Sequence, residues 1–261
     1  MTAAVRQLDE MAARNEAPAD SVIEKVRSII ETLAAQGPLG LTALARESGI
    51  AKTTVHRLCS ELVEWGVLDR SAGAFILGRR LAELGHMAPN SGSLARVGHP
   101  YMAELFATFR LATNLSVLHD KTSIRCVDKI WVVGQDPANY WMGIGTRAPA
   151  YCTAAGKAIV AFSPPDVFEA VVAQPLVAFT PFTARGPEGF AREIEEVRRT
   201  GVAWTRNEIR MNTLGVAVPI VTEYGKVLGA ISCGLGTRAT KTEELIKAMK
   251  VQARRIAQQM A

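Results

Sequence analysis

The sequence predicts an α+β protein in two parts. An N-terminal winged helix-turn-helix is joined by a linker helix to a C-terminal α/β domain with a largely antiparallel sheet. Three observations carry this prediction. Residues 21–66 hold three short helical patterns separated by glycine, and "VLDRSAGAFIL" (67–77) reads as a β-hairpin. Beyond residue 93, runs of strand-forming residues are interleaved with helical ones.

Ser21 with Glu24 three residues on is a capping box, opening a helix whose apolar stripe is Val22, Val26, Ile29, Ile30 and Leu33. Gly37 and Pro38 stop it. A short helix follows over about Thr42–Ser48, with Leu41, Leu44 and Ala45 inward, and Gly49 makes a turn. The third helix begins near Lys52 in "GIAKTTVHRLCSELVEWG" (49–66), where Val55, Leu58, Leu62 and Trp65 recur at i, i+3, i+7 and i+10. At about 100° per residue, Thr53, His56, Arg57 and Ser60 point away from that stripe. A plainly solvated face carries Glu and Lys more often. Short hydroxyls, an imidazole and a guanidinium suit a polar partner, and a winged helix presents its third helix to double-stranded DNA. The candidate DNA contacts are Thr53, Thr54, His56, Arg57 and Ser60 on the helix and Arg70 on the wing. Thr53 lies where the helix start favours phosphate, and Arg57 suits a guanine edge or a phosphate. Arg79 and Arg80 are further phosphate candidates, with solubility the competing explanation.

Residues 1–20 lack periodicity and read as a mobile tail, which leaves 21–80 as the DNA-binding domain. "GRRLAELGHMAPNSGSL" (78–94) is a helical stretch breaking into Pro, Asn, Ser and Gly, with the linker itself at 81–92. Residues 93–261 form the second domain. Its first helix, from about Ser93 to Thr108, buries Leu94, Val97, Tyr101, Leu105 and Phe109. Strands are expected at "LSVLHD", "IRCVDKI", "GVAVPIV" and "VLGAISCGL", helices at about 154–162, 187–200 and 241–260, and a hairpin turn at Tyr224–Lys226.

With 261 residues the chain is long enough for two domains of unequal size, and 48% hydrophobic with 21% charged residues is ordinary for a folded protein. No run is apolar enough to span a bilayer and the N-terminus lacks a signal-peptide core, so a cytoplasmic address without membrane contact is expected. Four separated cysteines (59, 126, 152, 233) read as buried reduced thiols rather than a zinc site or disulfides. A formal net charge of +5 permits nucleic-acid binding without establishing it.

"GTRAPAYCTAAGKAIVA" (145–161) contains Gly-Lys but is no P-loop, because Tyr151 replaces the first glycine and Ala158 the magnesium-binding hydroxyl. It reads as an irregular loop feeding a helix at Thr153. Free N–H groups there can hold a carboxylate with Lys157 nearby, against the plainer alternative of Thr153 as an ordinary N-cap. The four histidines (56, 86, 99, 119) are scattered, and no nucleophile, base or paired carboxylates converge. Neither an enzyme, a cofactor nor a metal is expected. Two rivals stand beside a ligand-responsive regulator. One is an enzyme that kept a docking module, which lacks catalytic residues. The other is an architectural DNA-binding protein, which would not need the second domain.

From about Ser21 to Met260 the chain resembles the IclR family of transcriptional regulators. "LTALARESGIAKTTVHRLCSELVEWGVLDR", "GTRAPAYCTAAGKAIVA", "RRTGVAWTRNE" and "GVAVPIVTEYGKVLGAISCGL" carry the match in order and spacing. The resemblance implies a GAF-like effector-binding second domain, a homodimer or dimer of dimers, and a palindromic operator. It also implies a small organic effector, with control of catabolism of aromatic or other carboxylic acids common in the family. It maps the effector site onto Ala154, Ala155, Thr205, Gly215, Ser232 and Gly234. Relatives often carry an acidic residue near Thr205, a Cys at Gly215 and a Ser at Gly234, so a pocket less polar and roomier than one made for a two- or three-carbon keto acid is expected. Tyr140, Trp141 and Met142 offer an aromatic and apolar wall, or else plain core. A carboxylate with an apolar or aromatic body is the ligand this suggests.

Overall fold

The computed structural model describes residues 21–87, 93–131, 142–183, 186–235 and 241–260. The expected tail, the linker residues 88–92, and Tyr140 and Trp141 lie outside these. Of the described residues, those before Ser93 form one compact unit and those from Ser93 onward another.

The first unit contains α1 (Val22–Gln36), α2 (Leu41–Ser48), α3 (Lys52–Glu64), β1 (Leu68–Ser71), β2 (Ala74–Leu77) and α4 (Arg79–Met87). The capping box forms as the spacing requires: Glu24 N–H donates to Ser21 Oγ at 3.1 Å, and Ser21 N–H to Glu24 Oε2 at 3.2 Å. Gly49 turns the chain between α2 and α3 in the left-handed conformation (φ 69°). The core gathers Ile29, Leu33, Leu44, Val55, Leu58 and Leu62 with Val67, Leu68 and Phe75. Two expected core residues are not in it. Val22, in the first turn of α1, is 57% exposed, and Trp65 is 59% exposed. Trp65 is the C-cap residue of α3, and the chain reverses at Gly66 (φ 77°), so the stripe ends one turn early; Cys59, beside Leu58, is buried in the core as well.

The wing β1–β2 is antiparallel, its tip at Ala72 (φ 49°) and Gly73 (φ 80°). Two left-handed residues in a two-residue turn match the twist of the strands they join. Leu39 bridges to Phe75 and ties the wing to the helices. The expected boundary at Arg80/Leu81 falls inside α4. Its Leu81 packs on this unit's core and the Arg80 N–H donates to Gly66 O, so the start of the assigned linker is held by the winged helix.

The second unit contains α5 (Ser93–Phe109), β3 (Thr113–Leu118), β4 (Ser123–Ile130), β5 (Arg147–Pro149), a 3-10 turn (Ala150–Cys152), α6 (Ala154–Ala161), α7 (Pro165–Ala173), α8 (Gly186–Thr200), β6 (Ala203–Arg206), β7 (Leu214–Val221), β8 (Val227–Leu235) and α9 (Thr242–Gln259). Its sheet runs β5-β4-β3-β8-β7-β6 and every pair is antiparallel. Alternation splits the side chains between two cores. Leu115, Val216, Val218, Ile231 and Leu235 pack with α5 and α9. Ala203, Ala217 and Ala230 pack with α6, α7 and α8.

Every residue of α6 is buried. Its small residues make that closeness feasible: a Cβ on Gly156 would stand 2.3 Å from the Ala150 carbonyl oxygen. All four cysteines are free and buried, and burial pushes the thiols of Cys59, Cys126 and Cys233 up to about 11 and raises that of Cys152 further. They stay protonated and unreactive at neutral pH. Among the described residues no helix is long and apolar enough to cross a membrane.

Candidate DNA-binding and ligand sites

In the first unit, Val55, Leu58 and Leu62 anchor α3 inward, leaving Thr53, His56, Arg57 and Ser60 exposed and Thr54 half-buried. The N-cap is Ala51, with no side-chain cap, so the first N–H groups of α3 keep their hydrogen-bonding capacity for an anion. Arg57 pairs with Glu61 at 2.7 Å, both more than half exposed, a link of a few tenths of a kcal/mol that a phosphate or base can displace. Ser60 Oγ donates to the His56 carbonyl and still has lone pairs to accept with. Arg70 lies on exposed β1, its guanidinium 4.9 Å from the Phe75 ring centroid, and Phe75 is its cross-strand partner. Stacking holds that charge out on the wing. Arg79 and Arg80 are both paired with Glu83.

In the second unit, Ala154, Ala155, Thr205, Gly215, Ser232, Gly234 and Met142 line a single cavity of about 80 Å³. The strand register explains their meeting. Gly215 is opposite Gly234 and Thr205 opposite Gly215, while Asn114 faces Ser232 across β3–β8. The two glycines leave a bare strip on the sheet, and the start of α6 lies above it. Thr153 Oγ1 accepts from Gly156 N–H and donates to the Pro149 carbonyl, while Lys157 N–H is taken by the Thr153 carbonyl. The N–H groups of Ala154 and Ala155 are the first of the helix and have no intrahelical acceptor. Capping by Thr153 and an open helix start are thus compatible.

No charged side chain is among the described residues lining the cavity. Thr205 Oγ1 and Asn114 Oδ1 are buried there with no hydrogen-bond partner. At about 80 Å³ the cavity is smaller than the roughly 150 Å³ that houses benzene in an engineered protein. Met142, Ile209 and Leu214 take up space that the two glycines release. A ring fits only if a flexible side chain such as Met142 turns aside.

Lys157 does not serve the cavity. Its ammonium donates to both Glu208 carboxylate oxygens at 2.7 and 2.6 Å, pairs with Glu193 and reaches the Trp204 carbonyl at 3.2 Å. Burial raises the pKa of Glu208, with Lys157 pulling the other way. The cluster joins α6 to the loop after β6, and both supply cavity walls. Lys129 also escaped sequence reasoning. It is opposite Asn114 in the β3–β4 register and is buried, and its ammonium donates to the Met142 carbonyl at 2.7 Å. Burial lowers its pKa. Among the described residues no cluster of metal-ligating side chains occurs.

A winged helix-turn-helix in one unit and a small cavity lined by neutral polar groups in the other fit a DNA-binding transcriptional regulator. Comparison with known proteins makes this specific. The IclR helix-turn-helix domain matches residues 22–72, and the bacterial transcriptional regulator IclR C-terminal domain matches residues 87–261. The chain belongs to the IclR family. It is 28% identical to the HTH-type transcriptional regulator KipR of Bacillus subtilis over 86% of this chain and 89% of that protein. It is 26% identical to the p-hydroxybenzoate hydroxylase transcriptional activator of Acinetobacter baylyi over 80% and 78%. Among solved structures, an IclR homolog from Microbacterium hydrocarbonoxydans complexed with 4-hydroxybenzoate is 25% identical with a TM-score of 0.79, covering 91% of this chain and 98% of that one. The families and relatives matched are regulators, not enzymes.

Proposed function

We propose that the chain acts in the cytoplasm as a dimer or dimer of dimers on a palindromic operator, and that a small organic acid in the α6 cavity modulates this binding to control a catabolic operon. The observation that carries the reading is a cavity under an open helix start with no charged side chain among its described lining residues, where hydroxyls and N–H groups can hold a carboxylate. The 4-hydroxybenzoate bound in the Microbacterium structure and the name of the Acinetobacter activator favour an aromatic hydroxy acid. Met142 remains the proposed wall against its apolar body, while Trp141 lies outside the described residues.

If α3 enters the major groove, Arg57→Ala weakens binding to an operator selected from random duplexes by about 1–3 kcal/mol with the fold intact. Arg70→Ala weakens binding to all sequences alike and flattens the salt dependence. Fluorescence anisotropy across a salt series reads both. Unchanged operator affinity in folded Arg57→Ala removes α3 from this role.

One winged helix reads only a half-site, so specific binding calls for two copies with two-fold symmetry. Leu81–Met87 and the helix from Ser93 are the proposed subunit contacts. Sedimentation is expected to give at least a dimer at micromolar concentration, and footprinting an inverted repeat. A monomer with one unpaired footprint overturns this.

A further inference from the structure

Asn114 belongs to no motif, yet among the described residues on the cavity it is one of two, with half-buried Thr205, that hold a buried oxygen without a hydrogen-bond partner. It is 9% exposed and on β3, opposite Ser232 of β8. The other is Thr205, three strands away on β6. A buried carbonyl oxygen left without a donor costs desolvation energy and returns none of it in the ligand-free chain. Both orphans face the same small space, with Gly234 and Gly215 between their strands.

The chemistry of the two atoms differs. Thr205 Oγ1 can donate and so suits a carboxylate, alongside Ser232 and the α6 start. Asn114 Oδ1 only accepts, so a carboxylate oxygen against it is repelled and a ligand O–H is attracted. Resting on the reading of this cavity as an organic-acid site, we propose that Asn114 selects hydroxylated acids: the ligand's hydroxyl donates to Asn114 Oδ1 while its carboxylate is held by the α6 N–H groups, Ser232 and Thr205. The small volume agrees with a compact ligand.

Gly215 supplies an independent handle. A Cβ there meets the Cys233 carbonyl oxygen at 3.8 Å and Thr205 Cβ at 3.9 Å, ordinary contacts, so a larger side chain is accepted by the backbone and fills the cavity. The test is calorimetric titration of the full chain with two matched pairs of acids, benzoate with 4-hydroxybenzoate and butanoate with 4-hydroxybutanoate. In wild type, the hydroxylated member of at least one pair binds about tenfold or more tightly, because a site built to pair a hydroxyl rejects the analogue lacking it. Asn114→Leu, of the same branching but bulkier, removes that preference without abolishing binding of the unsubstituted acid. Its Tm does not fall, since an orphaned polar group has been replaced by an apolar one. Asn114→Ala gives the same loss of preference and serves if the leucine variant misfolds. Gly215→Val abolishes binding of all four acids.

Equal binding of both members of each pair by wild type, or a preference that survives in Asn114→Leu or Asn114→Ala, overturns the role of Asn114 and leaves the cavity standing. Failure of all four acids to bind wild type, or full binding by Gly215→Val, overturns the cavity reading and the role of Asn114 with it.

Discussion

Lys157→Met destabilises the C-terminal unit by about 3–5 kcal/mol at neutral pH, the expected cost of removing one partner from a buried ion cluster. The Lys157 side chain is 2% exposed and that of Glu208 7%, so neither charge reaches bulk water. Without the ammonium, the Glu208 carboxylate keeps its desolvation cost and loses its main compensation. Its folded-state pKa is already raised by burial and rises further in the variant. With the folded pKa above the unfolded one, ionisation costs stability as pH climbs through that interval, and the cost vanishes where both states are protonated. The difference between wild type and variant is therefore largest near neutral pH and shrinks below the ordinary carboxylate pKa of 4.5. Urea unfolding of both proteins across that range reads it, and Lys157→Met/Glu208→Gln recovers much of the loss. A loss below about 1 kcal/mol that ignores pH would show that the cluster is not held as described. Because α6 and the β6–β7 loop both wall the cavity, the variant also binds ligand poorly at temperatures where it is still folded.

Ser232→Ala weakens effector binding roughly 10- to 150-fold, the equivalent of about 1.5–3 kcal/mol for a hydrogen bond to a charged group. Ser232 shares a face of β8 with Ala230 and Gly234, and that face turns toward α6. No side-chain cation lines the cavity among the described residues, so each neutral donor carries a large share of carboxylate recognition. DNA affinity without ligand stays unchanged, since the substitution touches only the ligand's contacts. Titration of wild type and Ser232→Ala with 4-hydroxybenzoate, or whichever acid of the matched pairs binds best, reads the difference. Equal affinities place the carboxylate elsewhere.

Much of the winged unit was legible because its helices follow one rule: an apolar stripe toward a single core, with Ser21, Gly37 and Gly49 marking ends. The rule failed at Trp65, where periodicity continued but the helix did not. In the second unit the long strands were legible, whereas β5 and β6, three and four residues long, are too short to show alternation. The short helix α7, nine residues opening on Pro165, was missed. The cavity residues came from resemblance, not from any local pattern, since they meet only through strand register. Asn114 fell just outside the expected strand "LSVLHD", one residue before its start. Lys157 looked like a ligand group because Glu208, its partner, is 51 residues away in sequence.

A ligand-responsive regulator requires that the α6 cavity and the DNA-binding unit be coupled. The most direct test measures the affinity of the acid for free protein and for protein saturated with its selected operator, beside the affinity for operator with and without the acid. Coupling predicts that the two ratios are equal and differ from one, by about 5- to 150-fold for a typical case. An acid that binds free and operator-bound protein with the same affinity would contradict it.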